Sequence, residues 1–414
     1  MIQAVTGIAL FRALRHRAFA LLWTGQALSR IGDFLYEIAL AWWVLQKTGS
    51  ALAMGTVLIC AMTPMLLFLL IGGVAVDRLP RIPVMLLSDV ARGVVVGTVA
   101  LLAFTDALQI WEIYLASLVF GFVDAFFQPA YVATVPDLTP EDDWPSANSL
   151  TSLSVQLGRV AGPAIGAALV AWGGSATAFA LNALSFFVSA ALLVPLLGRP
   201  APAPAAQQEE HGRSSMLGEV RAGLSTVLGS PWLWVTITVS ALGNVLLAGP
   251  YSVAMPFLVK DFLHANVDTL GLIYAIFPIG YILGSLWLGR LRRIRHRGWL
   301  AYGGTLAAGL GLALFGLPLP IVVLLAAALF NGAGLEVFGL IWTNTMQELV
   351  PRDRLGRVAS IDMLGSYVLL PIGFAVTGWA TQQFGPAPVF ILGGAGEVVL
   401  VLLALLHPRI RGLD

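Results

Sequence analysis

Charged residues are scarce in this chain. Lys, Arg, Asp and Glu make up 11% of its 414 residues, and 58% are hydrophobic, whereas soluble domains carry about 25% charged residues. The net charge is +1, and no basic stripe runs along the chain, so a nucleic-acid partner is not expected. This composition is typical of a protein that is embedded in a lipid bilayer.

Cysteine, lysine and intramembrane histidine are nearly absent. Cys60 is the one cysteine, which excludes a disulfide within the chain. Neither lysine, Lys47 or Lys260, follows a glycine, so there is no Walker phosphate loop and no nucleotide is expected. No His-Glu-x-x-His pair or Gly-x-Ser-x-Gly elbow occurs. We therefore expect no enzyme, no cofactor and no metal site, and an energy source in an ion gradient, a substrate gradient or another protein.

Long apolar runs fill the rest of the chain and predict twelve membrane spans. The first is too long for a signal peptide and has no cleavage site behind it, so we interpret it as a retained span. The fold class is an all-α membrane protein whose spans are centred near Asp33, Pro64, Val95, Val123, Arg159, Phe186, Gly243, Pro278, Ala308, Gly334, Leu370 and Glu397.

One polar connection, residues 199–230, separates spans six and seven. Its first half is rich in Pro, Ala, Gln and Glu, which predicts a disordered or extended linker. Its second half predicts a short helix on the membrane surface, because one stripe is apolar; the stripe is Leu217, Val220, Leu224, Val227 and Leu228. The predicted organisation is a six-span half at 1–198, a linker at 199–230 and a second six-span half at 231–414.

The distribution of basic residues predicts the orientation. With the N-terminus inside, 18 of the 23 Lys and Arg residues lie on the cytoplasmic side. The positive-inside rule then predicts that both termini and the linker are cytoplasmic, which in a bacterium means a multi-pass protein of the inner membrane.

The two halves repeat. Pro140 and Asp142, after span four, correspond to Pro351 and Asp353, after span ten, with an offset of 211 residues. Two six-helix halves in parallel repeat, with a site between them at the midplane, are a transporter architecture.

Span one carries an unusual polar face. At 100° per residue its polar members fall together: Gln26, Ser29, Arg30, Asp33, Tyr36 and Glu37. Each charge at membrane depth costs about 2.5–3.5 kcal/mol, so this face must meet protein or water. Arg30 and Asp33 could neutralise each other as structural glue, but Glu37 is then left over, and the functional interpretation is favoured.

The loop between spans two and three contains Gly73, Asp77, Arg78 and Arg81. In these residues it resembles the corresponding loop of the major facilitator superfamily. In this family the Asp holds one packing state of the transporter. Pro80 and Ile82 depart from the family pattern, and Ser285 and Gly289-Arg290 form a degenerate copy in the second half. Asp89 and Arg92, three residues apart on span three, are interpreted as a packing pair near this gate.

Span five resembles the exporter motif of the same family. Its matching residues are Gly158, Gly162, Pro163 and Gly166, with Ala167 where the family has glycine. Glycines four apart permit close helix contact, and a generic tight interface would show the same spacing. The resemblance implies export, and it implies span eight, with Gly280 and Gly284, as the partner. Segments 29–33 and 47–55 resemble the branch that holds bacterial macrolide efflux pumps and the enterobactin exporter.

The family also implies that spans one, four, seven and ten line a central cavity. Proton coupling is then expected at Asp33, Glu37, Asp124 and Glu336, with Arg30 and Arg159 as charge partners. Arg159 is expected to pair with Asp124 or with the span-one carboxylates, and a static Asp124–Arg159 pair is equally open. Glu397 is interpreted as structural. The expected substrate cavity is aromatic and weakly polar, lined by Tyr36, Phe127, Gln128, Tyr131, Asn244, Tyr251 and Thr343.

Three functions remain open from the sequence. The first is a proton antiporter that exports drug-like or macrolide-like amphipathic molecules by alternating access. The second is an exporter of a siderophore, a lipid or a divalent cation. The third, a membrane receptor or lipid-modifying enzyme, is disfavoured by the repeat. The expected partners are a small-molecule substrate, protons and the lipid bilayer.

Overall fold

The computed structural model describes residues 9–198, 216–291 and 295–413, without the side chains of 9, 69–70, 73–78, 216–222 and 352–353. Within these ranges every element of regular secondary structure is a helix. In the predicted gate loop, the side chains of Asp77 and Arg78 and the surroundings of Gly73 lie outside what is described.

The first six spans come from five helical stretches. Span one is Arg17–Thr48, span two Ala51–Arg78, span three Arg81–Phe104 and span four Ile110–Asp137. Trp144–Leu193 holds span five (144–173) and span six (175–193), because Gly174, at φ 73°, breaks the helix between them. That left-handed backbone is one that glycine adopts without strain.

The second six spans follow a short helix, Met216–Gly229. Their bounds are Pro231–Phe262 for span seven, Val267–Gly289 for span eight, Arg297–Leu314 for span nine, Ile321–Leu349 for span ten, Arg352–Tyr367 with Leu370–Phe384 for span eleven and Pro386–Leu406 for span twelve. Span seven contains two π-helical turns, Pro250–Ala254 and Leu258–Phe262.

Length and hydropathy agree with the predicted span count. Nine stretches of the described residues are long and apolar enough to cross a bilayer, and one of them, Glu141–Leu196, contains spans five and six. Span one, with three charges in its middle, and span nine, with 18 residues, complete the twelve.

Local sequence signals explain several helix ends. Span one ends in Gly49, whose φ of 57° and N–H bonded to the Leu45 carbonyl form a left-handed cap. Span four begins with a capping box in which the backbone N–H of Gln109 donates to Glu112 at 2.7 Å. Lys47 and Lys260 lie in the last turns of spans one and seven.

The chain divides into two compact units. The first comprises Met1–Gly49 and Thr56–Ala206, and the second comprises Ser50–Gly55 and Gln207–Asp414. The beginning of span two therefore belongs with the second unit, and the backbone N–H of Ala51 donates to Gln382 there.

The predicted linker helix is present at Met216–Gly229. Its Val227 is buried in a small apolar cluster with Leu233, Met346 and Val358, whereas Leu228 is exposed. This packing ties the helix to the second unit, and its position on the membrane surface stays a prediction.

Candidate functional site

A buried ion cluster lies in the first unit and centres on Arg92 of span three. The guanidinium of Arg92 bonds Asp89 at 2.5 Å and Asp124 of span four at 3.1 Å. The side chains of Arg92 and Asp89 are 3% and 0% exposed, whereas Asp124 is 30% exposed. One cation thus joins a sealed carboxylate to a partly open one.

Span one and span six hold the sealed end of this cluster. The amide of Gln26 donates to Asp89 at 3.3 Å and to the Ser189 hydroxyl at 2.9 Å. Ser189 in turn donates to Asp89 at 2.7 Å. With the bond from Arg92, Asp89 therefore accepts from three side chains on three helices, which fixes the position of its carboxylate.

Two aromatic rings cover the guanidinium of Arg92. Its Cζ lies 4.1 Å from the ring centre of Phe127 and 4.6 Å from that of Phe186. Both rings are fully buried. A desolvated cation between aromatic faces gains cation–π stabilisation, and its low-dielectric surroundings strengthen its attraction to both carboxylates.

Asp33 and Glu37 of span one continue the line of charges beyond Arg92. Asp33 is half-buried and lies in the electrostatic field of Arg92, Arg30 and Asp124. Glu37, one turn further along, is exposed and interacts with the charges of Asp33 and Arg159. The carboxylates thus become progressively more accessible from Asp89 to Glu37.

The partners of two predicted charge carriers differ from expectation. Asp124 pairs with Arg92 and not with Arg159, because span three packs against span four and brings Arg92 to it. Arg30 donates to Gln128 of span four at 3.1 Å rather than forming an ion pair with Asp33. Arg159 does act on a span-one carboxylate, Glu37, which was the other predicted option.

The aromatic residues predicted for the cavity in the first unit are buried in ring packing. Tyr36 stacks on Phe120 with ring centres 5.9 Å apart. Phe127 stacks on Tyr131 at 6.2 Å, and the Tyr131 hydroxyl contacts Thr151 at 3.3 Å. In this conformation Phe127 is 1% exposed, so it supports Arg92 and offers no face to a solute.

The second unit places its predicted residues separately. Glu336 accepts a hydrogen bond from Ser285 of span eight at 2.6 Å. Asn244 donates to the backbone carbonyl of Ser366 at 3.0 Å. Thr343 is exposed on span ten. The structure gives Glu336 a neutral partner, whereas Asp124 of the first unit has a cation.

Tyr251, in the first π-helical turn of span seven, lies in an aromatic cluster that sequence reasoning missed. Its ring centre is 5.0 Å from that of Tyr274 and 4.8 Å from that of Phe277, and Phe277 contacts Tyr281 at 5.2 Å. All four rings are half-buried. The three span-eight members recur at helical spacing, which was the available signal.

At the gate loop, Arg81 is the predicted residue whose side chain is described. It pairs with the carboxylate of Asp137 at the end of span four and donates to the Ala133 carbonyl at 3.0 Å. Nearby, Asp143 binds Arg12 and His16, each at 2.8 Å. The bond from His16 and the charge of Arg12 hold the pKa of Asp143 below its ordinary value. Sequence reasoning missed both carboxylates as anchors.

The glycines of span five contact span one, a contact that the sequence did not predict. A Cβ on Gly158 would lie 2.9 Å from the Phe34 ring, and one on Gly166 would lie 2.8 Å from the Leu35 carbonyl oxygen. A Cβ on Gly162 would overlap the Cβ of Phe34. Pro163 is buried beside them.

The glycines of span eight contact span ten. A Cβ on Gly284 would lie 2.8 Å from the carbonyl oxygen of Ala333, and one on Gly280 would overlap the backbone at Leu329. The glycine spacing indicated a close contact correctly, but it carries no information on which helix supplies the other surface.

Family models match nearly the whole chain. One described as "Transmembrane secretion effector" matches residues 8–318, and one described as "Major Facilitator Superfamily" matches residues 233–412. The chain is 30% identical over 404 residues to the enterobactin exporter EntS of Escherichia coli O1:K1, covering 95% of this chain and 93% of that protein. EntS of Shigella boydii serotype 18 matches to the same extent.

Solved structures share the fold. The nucleoside transporter NupG superposes with a TM-score of 0.73 at 14% identity, covering 94% of this chain and 98% of that one. A bacterial homologue of the iron transporter ferroportin, in an inward-facing state, gives 0.72 at 17% identity, with the same coverage. The chain is therefore a membrane transporter rather than an enzyme, and it belongs to the major facilitator superfamily.

Proposed function

We propose that this transporter exports a bulky amphipathic small molecule of the siderophore class in exchange for protons. The relatives that are 30% identical over 95% of the chain export enterobactin, a siderophore, which supports this substrate class over drugs or macrolides. The match to a secretion family model and the glycine-proline pattern of span five support the outward direction. In this proposal the protein lies in the bacterial inner membrane with both termini in the cytoplasm.

One observation carries the coupling to protons: partly open carboxylates adjoin a sealed ion pair. Asp33 and Glu37 are accessible to different degrees. Asp33 lies in the field of Arg92, which Asp89 and Asp124 hold in place, and Glu37 lies in the field of Arg159. A proton on Asp33 removes a negative charge from the field of Arg92, and its loss restores that charge. Protonation therefore changes how strongly Arg92 is shared with Asp124.

Arg92 is suited to transmit that change between helices. It bonds Asp124 on span four while Asp89, on its own helix, is fixed by Gln26 and Ser189. Because its guanidinium is enclosed by two buried rings, it cannot exchange a carboxylate for water without repacking. A gain or loss of negative charge at Asp33 therefore biases the packing of spans one, three and four, which is the two-state element that coupling requires.

The aromatic cluster of the second unit is the proposed surface for the aromatic part of the substrate. Tyr251, Tyr274, Phe277 and Tyr281 present half-buried rings. The hydroxyl of Tyr274 donates to the carbonyl of Tyr251 at 2.6 Å, which holds the two rings together. Rings of this kind bind planar groups through their faces.

Export of drugs or macrolides is the second candidate, because the same rings accept any planar amphipathic molecule. The two candidates differ in what is transported. In everted vesicles a siderophore exporter takes up enterobactin and leaves a macrolide outside, whereas a drug exporter takes up both or only the macrolide.

Everted membrane vesicles test the proposal. An acid interior should drive uptake of enterobactin, and collapse of the pH gradient should abolish it. Vesicles that contain Asp33→Asn should show no gradient-driven uptake, whereas Glu348→Gln, which removes an exposed partner of Arg297, should transport normally. Uptake of enterobactin that ignores the gradient, or transport of a macrolide alone, contradicts the proposal.

A further inference from the structure

Glu397 of span twelve is a carboxyl group sealed inside the second unit. The residue is 1% exposed, and its Oε2 has no hydrogen-bond partner among the described residues. The carboxylates of the first unit, by contrast, are shared among cations and hydrogen-bond donors. Burial without a partner is costly for a charged carboxylate, so the group requires an explanation.

Glycines on two neighbouring helices make the space that the carboxyl group fills. A Cβ on Gly243 of span seven would lie 2.8 Å from Oε2 and 3.1 Å from Oε1 of Glu397. A Cβ on Gly309 of span nine would lie 3.1 Å from the Cβ of Glu397. The side chain therefore fits a notch between Gly243 and Gly309, and a larger residue at either position would close it.

The described parts of the three helices that form the notch offer Glu397 no free cation. Residues Pro231–Gly249 of span seven contain no ionisable side chain, and Glu397 is the one ionisable residue of span twelve. Span nine offers Arg297, which pairs with Glu348 at 2.7 Å, and Tyr302, whose hydroxyl bonds Thr236 at 2.9 Å.

The remaining charged residues of span seven, and those that directly follow span twelve, lie at exposed helix ends. Lys260 and Asp261 lie in the last turn of span seven, and Arg409 and Arg411 follow span twelve. All four residues are exposed. Charges in contact with water are screened, so they compensate a sealed carboxylate poorly.

Two described acids of spans ten and eleven are engaged elsewhere. Glu336 accepts from Ser285, and Asp362 accepts from the indole of Trp342 at 3.1 Å. An ionised Glu397 would find no free cation on the described parts of spans seven, nine and twelve that adjoin it, and an uncompensated buried charge is costly. A neutral carboxyl group avoids that cost.

We propose that Glu397 is a proton-binding site of the second unit, separate from the carboxylates of span one. It holds a proton while spans seven, nine and twelve are packed together. It can exchange that proton with water only when the Gly243–Gly309 notch opens. Proton binding stands independently of the transport cycle, whereas a role in coupling rests on the proposed proton antiport.

Infrared difference spectroscopy of the purified protein tests the site directly. At about pH 7, where an ordinary glutamate is ionised, wild type should show the carbonyl band of a protonated carboxyl group. Glu397→Gln should lose that band, and Glu348→Gln, whose acid is exposed, should keep it. An unchanged band in Glu397→Gln overturns the proposal.

Thermal unfolding gives a second readout, which distinguishes a proton from a metal cation as the ligand of Glu397. Glutamine has the shape of a protonated glutamate, so Glu397→Gln should unfold at the wild-type temperature at about pH 4, where the glutamate of the unfolded wild type is still largely protonated. It should become the more stable protein as the pH rises to neutral, because Glu397 then ionises in the unfolded chain but keeps its proton in the folded one. If sodium or magnesium raises the unfolding temperature of wild type but not that of Glu397→Gln, Glu397 is a cation site, and this result would contradict proton binding.

The two proposals fail separately. If wild-type vesicles show proton-driven uptake and the Glu397→Gln band is unchanged, the site is wrong and the antiport stands. If the band is lost and no proton-driven uptake occurs in wild type, the site stands and the antiport is wrong.

Discussion

Arg92 is the residue on which the packing of the first unit depends most. It neutralises a fully buried Asp89 and a partly open Asp124, and two rings enclose it. Removing one partner of a buried ion pair is far more costly than removing a surface partner, because the other charge stays desolvated. The cluster is therefore structural and, in the proposed mechanism, functional at once.

Arg92→Gln should destabilise the protein strongly, by about 3–5 kcal/mol, because Asp89 and Asp124 lose their cation. Thermal unfolding in detergent measures the effect. The matched variant Glu348→Gln removes the exposed member of the Arg297–Glu348 ion pair and should cost at most about 1 kcal/mol. Equal losses in the two variants would mean that the cluster is no more than a surface pair.

Asp33→Asn should insert and fold but lose proton-driven transport. Asparagine keeps the size of the side chain and removes the proton that Asp33 exchanges on the half-buried face of span one. Counterflow of unlabelled against labelled substrate, which needs no proton gradient, should survive. Wild-type accumulation by Asp33→Asn under a pH gradient would exclude this carboxylate from coupling.

At the scale of single residues, the sequence predicted which groups are unusual but not which groups meet. Charges in apolar runs identified Arg30, Asp33 and Arg92 from composition alone. The Asp124–Arg92 bond depends on how span three is rotated against span four, and the period of one helix does not contain that rotation. Glu397 shows the same limit, since its isolation depends on three helices that bring no free cation to it, and the sequence does not reveal which helices those are.

At the scale of helices, close contacts follow glycine. Span five uses Gly158, Gly162 and Gly166 to approach span one, and span eight uses glycines to approach span ten. The first contact brings Phe34 and Leu35 against span five, on the helix that also carries Asp33. The contact between spans one and five thus lies beside the proposed proton site on the same helix.

Gly162→Leu should weaken this contact by about 1–3 kcal/mol, the usual cost of overpacking, and reduce transport. Adding Phe34→Ala to this variant should partly restore both stability and transport, because the side chain that the new leucine meets is then removed. Thermal unfolding and vesicle uptake measure both effects.

Gly303→Leu on span nine is the control, since Gly303 is exposed and a Cβ there would meet no neighbouring residue within 4 Å. It should unfold and transport like wild type. Full activity in Gly162→Leu, or no effect of Phe34→Ala in the pair, would contradict a functional role for the contact.

Span limits were predictable from sequence because hydropathy, lysine positions and glycine breaks are local. Gly174, at φ 73°, separates spans five and six where two glycines and a serine interrupt the apolar run. Partner choice was not predictable, because glycine spacing on one helix fits any smooth surface. Ser50–Gly55, at the start of span two, belongs to the second unit, and no local sequence signal predicts this assignment.

At the scale of the whole molecule, the twelve spans and the repeat define a transporter, and the basic residues predict its orientation. The one native cysteine, Cys60, can be replaced by serine to give a background for labelling. In that background Gly412→Cys should react only after the membrane is made permeable, and Asn266→Cys, between spans seven and eight, should react with an impermeant maleimide on intact cells. The reverse pattern would contradict the predicted topology.

The central claim is that substrate and protons move in exchange through carboxylates of span one, and substrate-induced proton release from vesicles tests it most directly. Purified protein in vesicles with an acid interior and an internal pH dye should release protons when enterobactin is added outside. Asp33→Asn should release none, and Glu348→Gln should match wild type. Enterobactin entry into wild-type vesicles with no change in the dye signal would contradict the account.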